Sequence, residues 1–181
     1  MNRLVLTLMM VVLVAGMAGA QATVFPTTGP TRVSQAANLV TSALHSAPVA
    51  TDLLFAPANN TEYHIQGKLF VASDTVAYGM GLKFVAPTTD AIEGSCVVEM
   101  PSSTTVADAE TALLVAGAAS ATLATTVSVP PLSTVTFYRL KCYLSTTTTT
   151  SGNFAVLFGG ENPAGSVTLY AGSYIDYEAL P

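Results

Sequence analysis

Apolar and polar residues alternate over residues 62–73, and this pattern constrains the fold more than any other feature of the chain. In an extended strand successive side chains point to opposite faces, so every second residue shares a face. One face of this strand is therefore predicted to carry Tyr63, Ile65, Gly67, Leu69 and Val71. The opposite face is predicted to carry His64, Gln66, Lys68 and Phe70. A strand with one apolar face has to bury that face, which favours a fold of two packed layers.

Two blocks of the chain, residues 62–87 and 135–160, resemble each other. Each is predicted to be a strand, a polar turn and a second strand. Tyr63 aligns with Phe137 and Leu82 with Val156, an offset of 74 residues in both cases. We interpret each block as a β-hairpin, and the repeat as the basis of a two-sheet sandwich in which each hairpin buries its apolar face.

Other segments complete the predicted fold. Three more are predicted to be strands, namely residues 94–100, 166–171 and 174–180, with a hinge at Gly172 and Ser173 between the last two. Two Ala-rich segments, residues 32–46 and 102–126, carry apolar residues at helical spacing and are predicted to contain short helices. The sequence therefore predicts a mainly β protein: an antiparallel, jelly-roll-like β-sandwich of about eight strands with one or two short helices.

The first residues have the organisation of a secretory signal peptide. A basic residue, Arg3, precedes an uninterrupted apolar run, and small residues follow it as far as residue 22. If it is retained instead, the same segment would be an apolar helix that anchors the protein in an assembly or a membrane. The predicted organisation is a signal-like or anchoring segment at 1–22, an extended linker with a short helix at 23–57, and a β-sandwich domain at 58–181.

The chain has two cysteines, Cys96 and Cys142, and both lie in strand-like surroundings. In an exported protein a disulfide between them is plausible, because disulfides persist in oxidising compartments. In a protein that is not exported they would be two small buried apolar residues. Two distant cysteines without neighbouring histidines do not have the spacing of a metal site.

Charge is sparse in this chain of 181 residues, of which 50% are hydrophobic and only 9% are charged. Ordinary soluble domains have roughly 25% charged residues. A surface with few charges packs readily against copies of itself, since little charge has to be desolvated. The net charge is −5, and the six basic residues are scattered along the sequence. We therefore expect no basic patch and no binding to nucleic acid, which needs clustered Lys and Arg.

The chemistry that enzymes need is not recognisable in the sequence. Its two histidines, His45 and His64, stand in no catalytic motif. Its glycines do not form a phosphate-binding loop, which would need a Gly-rich turn followed by Lys and Ser or Thr. We expect no catalytic residues, no metal and no cofactor, and hence a protein that is not an enzyme.

Several motifs resemble the small β-sandwich domains of tailed-phage virion proteins. They are an aromatic-x-apolar strand in each block, the Thr-rich turn at 146–150, a Gly-led return strand, and the ending Gly-Ser-Tyr-Ile-x-Tyr at 172–177. The resemblance covers residues 58–180. Such domains serve as head decoration proteins, head fibres and tail-associated proteins, so it implies a structural role and supplies no catalytic residues.

Two functions from different classes follow. The first is a non-enzymatic virion structural protein, a homo-oligomer that binds other capsid or tail proteins in many copies and contacts a membrane only if residues 1–22 are retained as an anchor. The alternative is a secreted or cell-surface β-sandwich, an adhesin or glycan-binding module. Aromatic side chains line many glycan sites, and the candidates for surface contact are Tyr170, Tyr174 and Tyr177.

Overall fold

Antiparallel β-strands make up the regular structure of the chain. The structure is a computed structural model that describes residues 29–75, 79–89, 93–99, 109–114, 120–128, 134–147 and 150–181. Its fourteen strands are β1 (Thr31–Ser34), β2 (Leu39–Thr41), β3 (Val49–Phe55), β4 (Glu62–Ser73), β5 (Gly79–Val85), β6 (Thr88–Thr89), β7 (Glu93–Glu99), β8 (Ala109–Leu114), β9 (Ser120–Ser128), β10 (Thr136–Ser145), β11 (Thr150–Ser151), β12 (Phe154–Gly160), β13 (Val167–Leu169) and β14 (Tyr174–Ala179). These residues contain no helix.

The larger of the two main sheets is built around β4. Its strand order is β1-β14-β4-β10-β7-β8. One edge of β4 pairs with β10 in a continuous register that runs from Glu62 opposite Ser145 to Val71 opposite Thr136. The other edge pairs with β14 and then, further along, with β13, which in turn pairs with β2. The long strand β4 thus fixes the position of every other strand in this sheet.

The smaller main sheet has the order β3-β12-β5-β9, and β6 and β11 form a separate short pair. The register between β3 and β12 shifts between Ala155 and Leu157. At this irregularity the Thr51 hydroxyl donates a hydrogen bond of 2.6 Å to the Val156 carbonyl oxygen. A buried carbonyl group that the ladder leaves unpaired would be costly, so this side chain stabilises the irregular edge.

The inner faces of the two main sheets share one apolar core. It contains Tyr63, Ile65, Leu69 and Val71 of β4, and facing residues of β3, β5 and β12. The Phe55 ring of β3 stacks on the Tyr177 ring of β14, with centroids 3.9 Å apart, and so joins the two sheets at one end. This layered arrangement is that of a β-sandwich. The predicted alternation along β4 is confirmed, because its inward set is buried and His64, Gln66 and Lys68 are exposed.

The chain passes repeatedly from one main sheet to the other. Eight strands form the two central layers, and in chain order they are β1, β3, β4, β5, β9, β10, β12 and β14. The larger sheet contains the first, eighth, third and sixth of them, and the smaller contains the second, seventh, fourth and fifth. The β7–β8 hairpin is inserted between the fourth and the fifth and extends the larger sheet.

The two predicted hairpins are therefore wrong, although their strands are present. β4 and β5 lie in different sheets, and so do β10 and β12. The strands that correspond between the two blocks pair instead, β4 with β10 and β5 with β12. The turn after β4 contacts a segment far along the chain. The Asp74 amide donates a hydrogen bond of 3.0 Å to the Ser166 carbonyl oxygen.

The predicted helices are also wrong within the described residues. In the first predicted segment, residues 32–46, β1 and β2 cover residues 32–34 and 39–41. In the second, residues 102–126, β8 lies inside the segment and β9 overlaps its end. β1, β2 and β3 all join the main sheets, so the sandwich includes strands of the segment 23–57, which was predicted to be a linker. The signal-like or anchoring segment at 1–22 lies outside the described residues.

Candidate functional site

Four of the six basic residues lie on the outer face of the larger sheet, where strand pairing brings them together. Lys68 of β4 stands directly opposite Arg139 of β10. In the next row, Gln66 lies between Lys141 of β10 and Asp176 of β14, and Arg32 of β1 is opposite Asp176. The expectation that the basic residues form no patch is therefore wrong, because residues scattered in sequence become neighbours across paired strands.

Arg32 and Asp176 form an ion pair at the β1 side of this face. The guanidinium Nε and Nη2 each donate a hydrogen bond of 2.7 Å to a different carboxylate oxygen. These bonds lower the pKa of the Asp176 carboxyl below its ordinary value of 3.8, against the opposing effect of burial. They also raise the pKa of Arg32. The guanidinium carbon lies 3.8 Å from the centroid of the Tyr174 ring, a cation–π contact.

A second ion pair lies on the opposite side of the patch. The Lys141 ammonium donates a hydrogen bond of 2.7 Å to the Glu99 carboxylate of β7. Between the two ion pairs, Lys68 and Arg139 have no acidic partner within hydrogen-bond distance in the described part of the chain. Both cations instead lie near one aromatic ring, since Lys68 Nζ is 5.5 Å and Arg139 Cζ 6.0 Å from the Phe137 centroid.

A groove of about 350 Å³ follows these rows across β14, β4 and β10. The side chains that give it its chemistry are Gln66, Lys68, Arg139, Lys141, Tyr174 and Asp176. Three of them are cationic and one is anionic, so the groove has a formal charge of +2 in a chain whose net charge is −5. The groove thus combines positive charge with several hydrogen-bond donors.

The structure does not bring the three predicted surface tyrosines together. Tyr174 points to the outer face of the larger sheet and lines the groove. Tyr177 points to the inner face, where it stacks on Phe55 and packs against the core. Tyr170 is half-buried and lies between β13 and β14, where its backbone amide donates to the Phe70 carbonyl oxygen over 2.9 Å. Of the three, only Tyr174 is placed where a ligand in the groove would meet it.

The two cysteines are joined by a disulfide in the structure. Cys96 of β7 and Cys142 of β10 occupy directly opposite positions, and their α-carbons are 4.1 Å apart. Both residues are buried among the apolar side chains of the core. The bond therefore links two neighbouring strands of the larger sheet from the inside.

Three buried polar atoms have no hydrogen-bond partner among the described residues, namely the Tyr138 hydroxyl, His45 Nδ1 and Thr168 Oγ1. The Tyr138 hydroxyl lies in the core, and burial together with the charge of Glu161 raises the pKa of Tyr138 to about 12. His45 lies over the paired glycines Gly81 and Gly159 of the smaller sheet.

The described residues contain no group of three or more His, Cys, Asp or Glu side chains that could hold a metal ion. The described part of the chain also has no helix that is long and apolar enough to cross a membrane.

Sequence reasoning missed the groove because its residues are far apart along the chain. Lys68 and Arg139 meet only because β4 pairs with β10, and Arg32 meets Asp176 across a separation of 144 residues. A signal was present in the outward positions of β4 and β10. Both strands carry charged or amide side chains there, which is unusual in a chain with so few charges.

Neither a protein-family model nor a curated protein matches this chain. Among solved structures, it is similar to a chain in the structure of the infectious bursal disease virus Gx strain, with 12% sequence identity and a TM-score of 0.26. The match covers 84% of this chain and 37% of the viral chain. It is also similar to the VP2 subviral particle of infectious bursal disease virus, with 10% identity, a TM-score of 0.25 and the same coverage. The chain thus spans 37% of the length of these viral chains.

Proposed function

We propose that this protein is a non-enzymatic structural component of a virion, which binds the particle surface in many copies. The observation that carries the proposal is the strand order of its two sheets. Counting the eight central strands, one sheet has the order first-eighth-third-sixth and the other second-seventh-fourth-fifth. This order is that of a jelly roll, an architecture used by viral capsid proteins as well as by lectins and cupins. The tailed-phage resemblance of the sequence supports the same role.

Composition supports a protein that packs against its own copies. Only 9% of residues are charged, so the surface outside the basic groove can be covered by neighbouring subunits with little desolvation of charge. Sheets of this kind also end in edge strands, here β3 and β9 in the smaller sheet. Edge strands offer unpaired backbone groups to another chain. Repetition of such weak contacts over a particle gives firm attachment through avidity.

The alternative, an exported cell-surface or extracellular adhesin or glycan-binding module, is favoured by one observation. The disulfide between Cys96 and Cys142 is a bond that persists in oxidising compartments and is rare in the cytosol. A signal-like segment at residues 1–22 agrees with that compartment.

The intact mass of the protein from its native source separates the two functions. For the virion role, we expect the full-length chain to co-sediment with purified particles, in many copies per particle by quantitative mass spectrometry. For the exported alternative, we expect a chain that begins at Gln21 or Thr23 and is recovered from the medium or the cell surface. Absence of the chain from washed particles would overturn the virion proposal.

A further inference from the structure

The basic groove on the larger sheet has at its centre two like charges that form no ion pair with the described residues. Lys68 and Arg139 are directly opposite each other on neighbouring strands. Like charges in that arrangement destabilise a sheet. Glu99 of β7 stands directly opposite Arg139, but its carboxylate accepts its hydrogen bond from Lys141. Asp176, in the next row, accepts from Arg32. The pair therefore has a cost for the folded protein, and an anion bound between them would remove it.

The surroundings of the pair restrict where the two cations point. Phe137 lies on the same face, in the row beyond them, and its ring is within 6.0 Å of both charged groups. Cation–π contacts of this kind hold Lys and Arg side chains over a ring. On the other side of Lys68 stands Tyr174, whose own position is fixed by the Arg32 guanidinium 3.8 Å from its ring centroid. The groove is thus lined by one aromatic ring, that of Tyr174, which contacts Arg32, and the Phe137 ring lies beside the two cations.

We infer that this groove binds a small ligand through an oxyanion, a carboxylate, sulfate or phosphate group, that lies between Lys68 and Arg139. The guanidinium fork of Arg139 can give two parallel hydrogen bonds to such a group, and Lys68 adds a compact positive charge. Gln66 and Tyr174 line the same groove and supply further hydrogen-bonding groups to the remainder of the ligand. The volume of about 350 Å³ lies at the lower end of the range for small-molecule sites, roughly 300 to 1,000 Å³.

The inference does not depend on the proposed function, since a virion protein or an exported module could equally carry such a site. Its test is a titration of the full-length protein, by isothermal calorimetry or NMR at constant ionic strength, with sodium sulfate, sodium phosphate and sodium glucuronate. Glucose is the uncharged control. We expect saturable binding of the anions, no binding of glucose, and chemical-shift changes confined to β4, β10 and β14.

Two variants localise the binding. Lys68→Gln and Arg139→Gln should each weaken oxyanion binding by about tenfold or more, because each removes a charge-assisted hydrogen bond. Lys83→Gln is the matched control, since Lys83 lies on β5 in the other sheet, and it should leave the affinity unchanged. Lys68→Gln should also raise the thermal midpoint of the free protein, because it relieves the repulsion from Arg139. This gain keeps a loss of binding from being mistaken for misfolding.

The source of the oxyanion follows from the ranking of the three probes. Glucuronate that binds about tenfold tighter than sulfate or phosphate would identify an acidic saccharide, and equal affinities would identify a site for free oxyanions. The inference is overturned if the anions do not saturate, or if Lys68→Gln and Arg139→Gln bind them as the parent protein does. It is also overturned if ultracentrifugation shows an oligomer that Lys68→Gln dissociates, since carboxylates of a second copy would then occupy the groove.

Discussion

At the scale of single residues, the most informative side chains are those that place a polar group in the apolar core. Tyr138 keeps a hydroxyl in the core without a partner among the described residues. Tyr63, by contrast, lies in the same core with its hydroxyl oxygen accepting a hydrogen bond of 2.8 Å from the Ala58 amide. The two tyrosines therefore form a natural pair for measuring what a buried hydroxyl contributes.

Replacing Tyr138 by Phe should leave the free energy of unfolding unchanged or raise it by about 1 kcal/mol, because the variant no longer buries an unpaired hydroxyl. Tyr63→Phe should instead lower it by about 1 kcal/mol, because it removes a hydrogen bond. Urea denaturation at neutral pH measures both changes. A clear loss of stability in Tyr138→Phe would mean that its hydroxyl has a partner after all.

Tyr138→Phe should also differ from the parent protein in stability at alkaline pH. Burial and Glu161 raise the pKa of Tyr138 to about 12 in the folded protein, above its ordinary value of 10.0. The unfolded chain therefore loses the phenol proton at a lower pH than the folded protein does. The stability that depends on a neutral Tyr138 is fully present below pH 10 and is lost as the pH rises through 12. Tyr138→Phe should lose less stability than the parent over that interval, as followed by circular dichroism in urea at each pH.

The Arg32–Asp176 ion pair predicts a loss of stability at acid pH rather than at alkaline pH. The pKa of the Asp176 carboxyl is lowered in the folded protein, first by its hydrogen bonds to Arg32. Its contribution is therefore present above the ordinary value of 3.8 and is lost as the pH falls through the lower folded value. The stability difference between the parent and Asp176→Asn should shrink as the pH is lowered below 4. The difference should be small at every pH, because the Arg32 side chain is mostly exposed.

Glu178→Gln is the control for this comparison. Glu178 lies on the same strand as Asp176 and forms no ion pair with the described residues. Its substitution should give a stability difference that does not follow the same acid transition. If the two variants respond to pH alike, the ion pair with Arg32 is not the cause.

At the scale of elements, the sequence predicted which face of a strand is buried better than it predicted which strands pair. The alternation along β4 identified its buried set because the period of two is a property of the strand itself. Asp74 was predicted to lie in a turn that leads back into the same sheet. The next strand instead joins the other sheet, and Asp74 bonds Ser166, 92 residues away. No local pattern carries that information.

The wrong helices have a related cause. Val33 and Val40 are spaced as on a helix, and the segment is rich in Ala, which favours helices. Each of these residues instead pairs with the last part of the chain, Val33 with Ile175 and Val40 with Thr168. Pairing with distant strands overrode a weak local preference. The groove was missed for the same reason, since Lys68 and Arg139 belong to different predicted units.

The glycine pair of the smaller sheet gives a prediction at this scale. A Cβ atom on Gly81 would overlap the His45 side chain, and the His45 backbone is held by a hydrogen bond of 2.8 Å from its amide to the Gly160 carbonyl oxygen. Gly81→Ala should therefore lower the free energy of unfolding by about 1 to 3 kcal/mol. Thermal and urea denaturation measure the loss.

Two further variants isolate the cause. Gly29→Ala adds the same methyl group where nothing lies within 4 Å, and it should change stability by less than about 0.5 kcal/mol. Adding His45→Gly to Gly81→Ala should restore much of the lost stability, since glycine lacks the Cβ and ring atoms that the new methyl group would overlap. A double variant as unstable as the sum of its parts would count against the overlap with His45.

At the scale of the whole molecule, one covalent bond restrains a large part of the chain. The disulfide spans 46 residues between Cys96 and Cys142. For a loop of that length the restraint on the unfolded chain amounts to about 4 kcal/mol. The double variant Cys96→Ala with Cys142→Ala should be less stable by up to about that amount, as measured by urea denaturation under oxidising conditions.

Reduction provides the check on this prediction. Dithiothreitol should destabilise the parent protein and should leave the double variant unchanged. If the parent is equally stable with and without reductant, while mass spectrometry finds both thiols free, then the protein does not carry the disulfide in solution.

The pairing of β1 with β14 also determines the order in which the protein can fold. The two strands are joined by Arg32 and Asp176, which lie 144 residues apart, and the central strand β4 takes its neighbours from β10, β13 and β14. Contacts between such distant segments require large loops to close before any sheet is complete, which slows folding. Both main sheets take strands from the early and the late parts of the chain, so neither sheet is complete before β14 and β12 are present. We therefore expect folding of this protein to be a late, collective event, during which its apolar strands are exposed to aggregation.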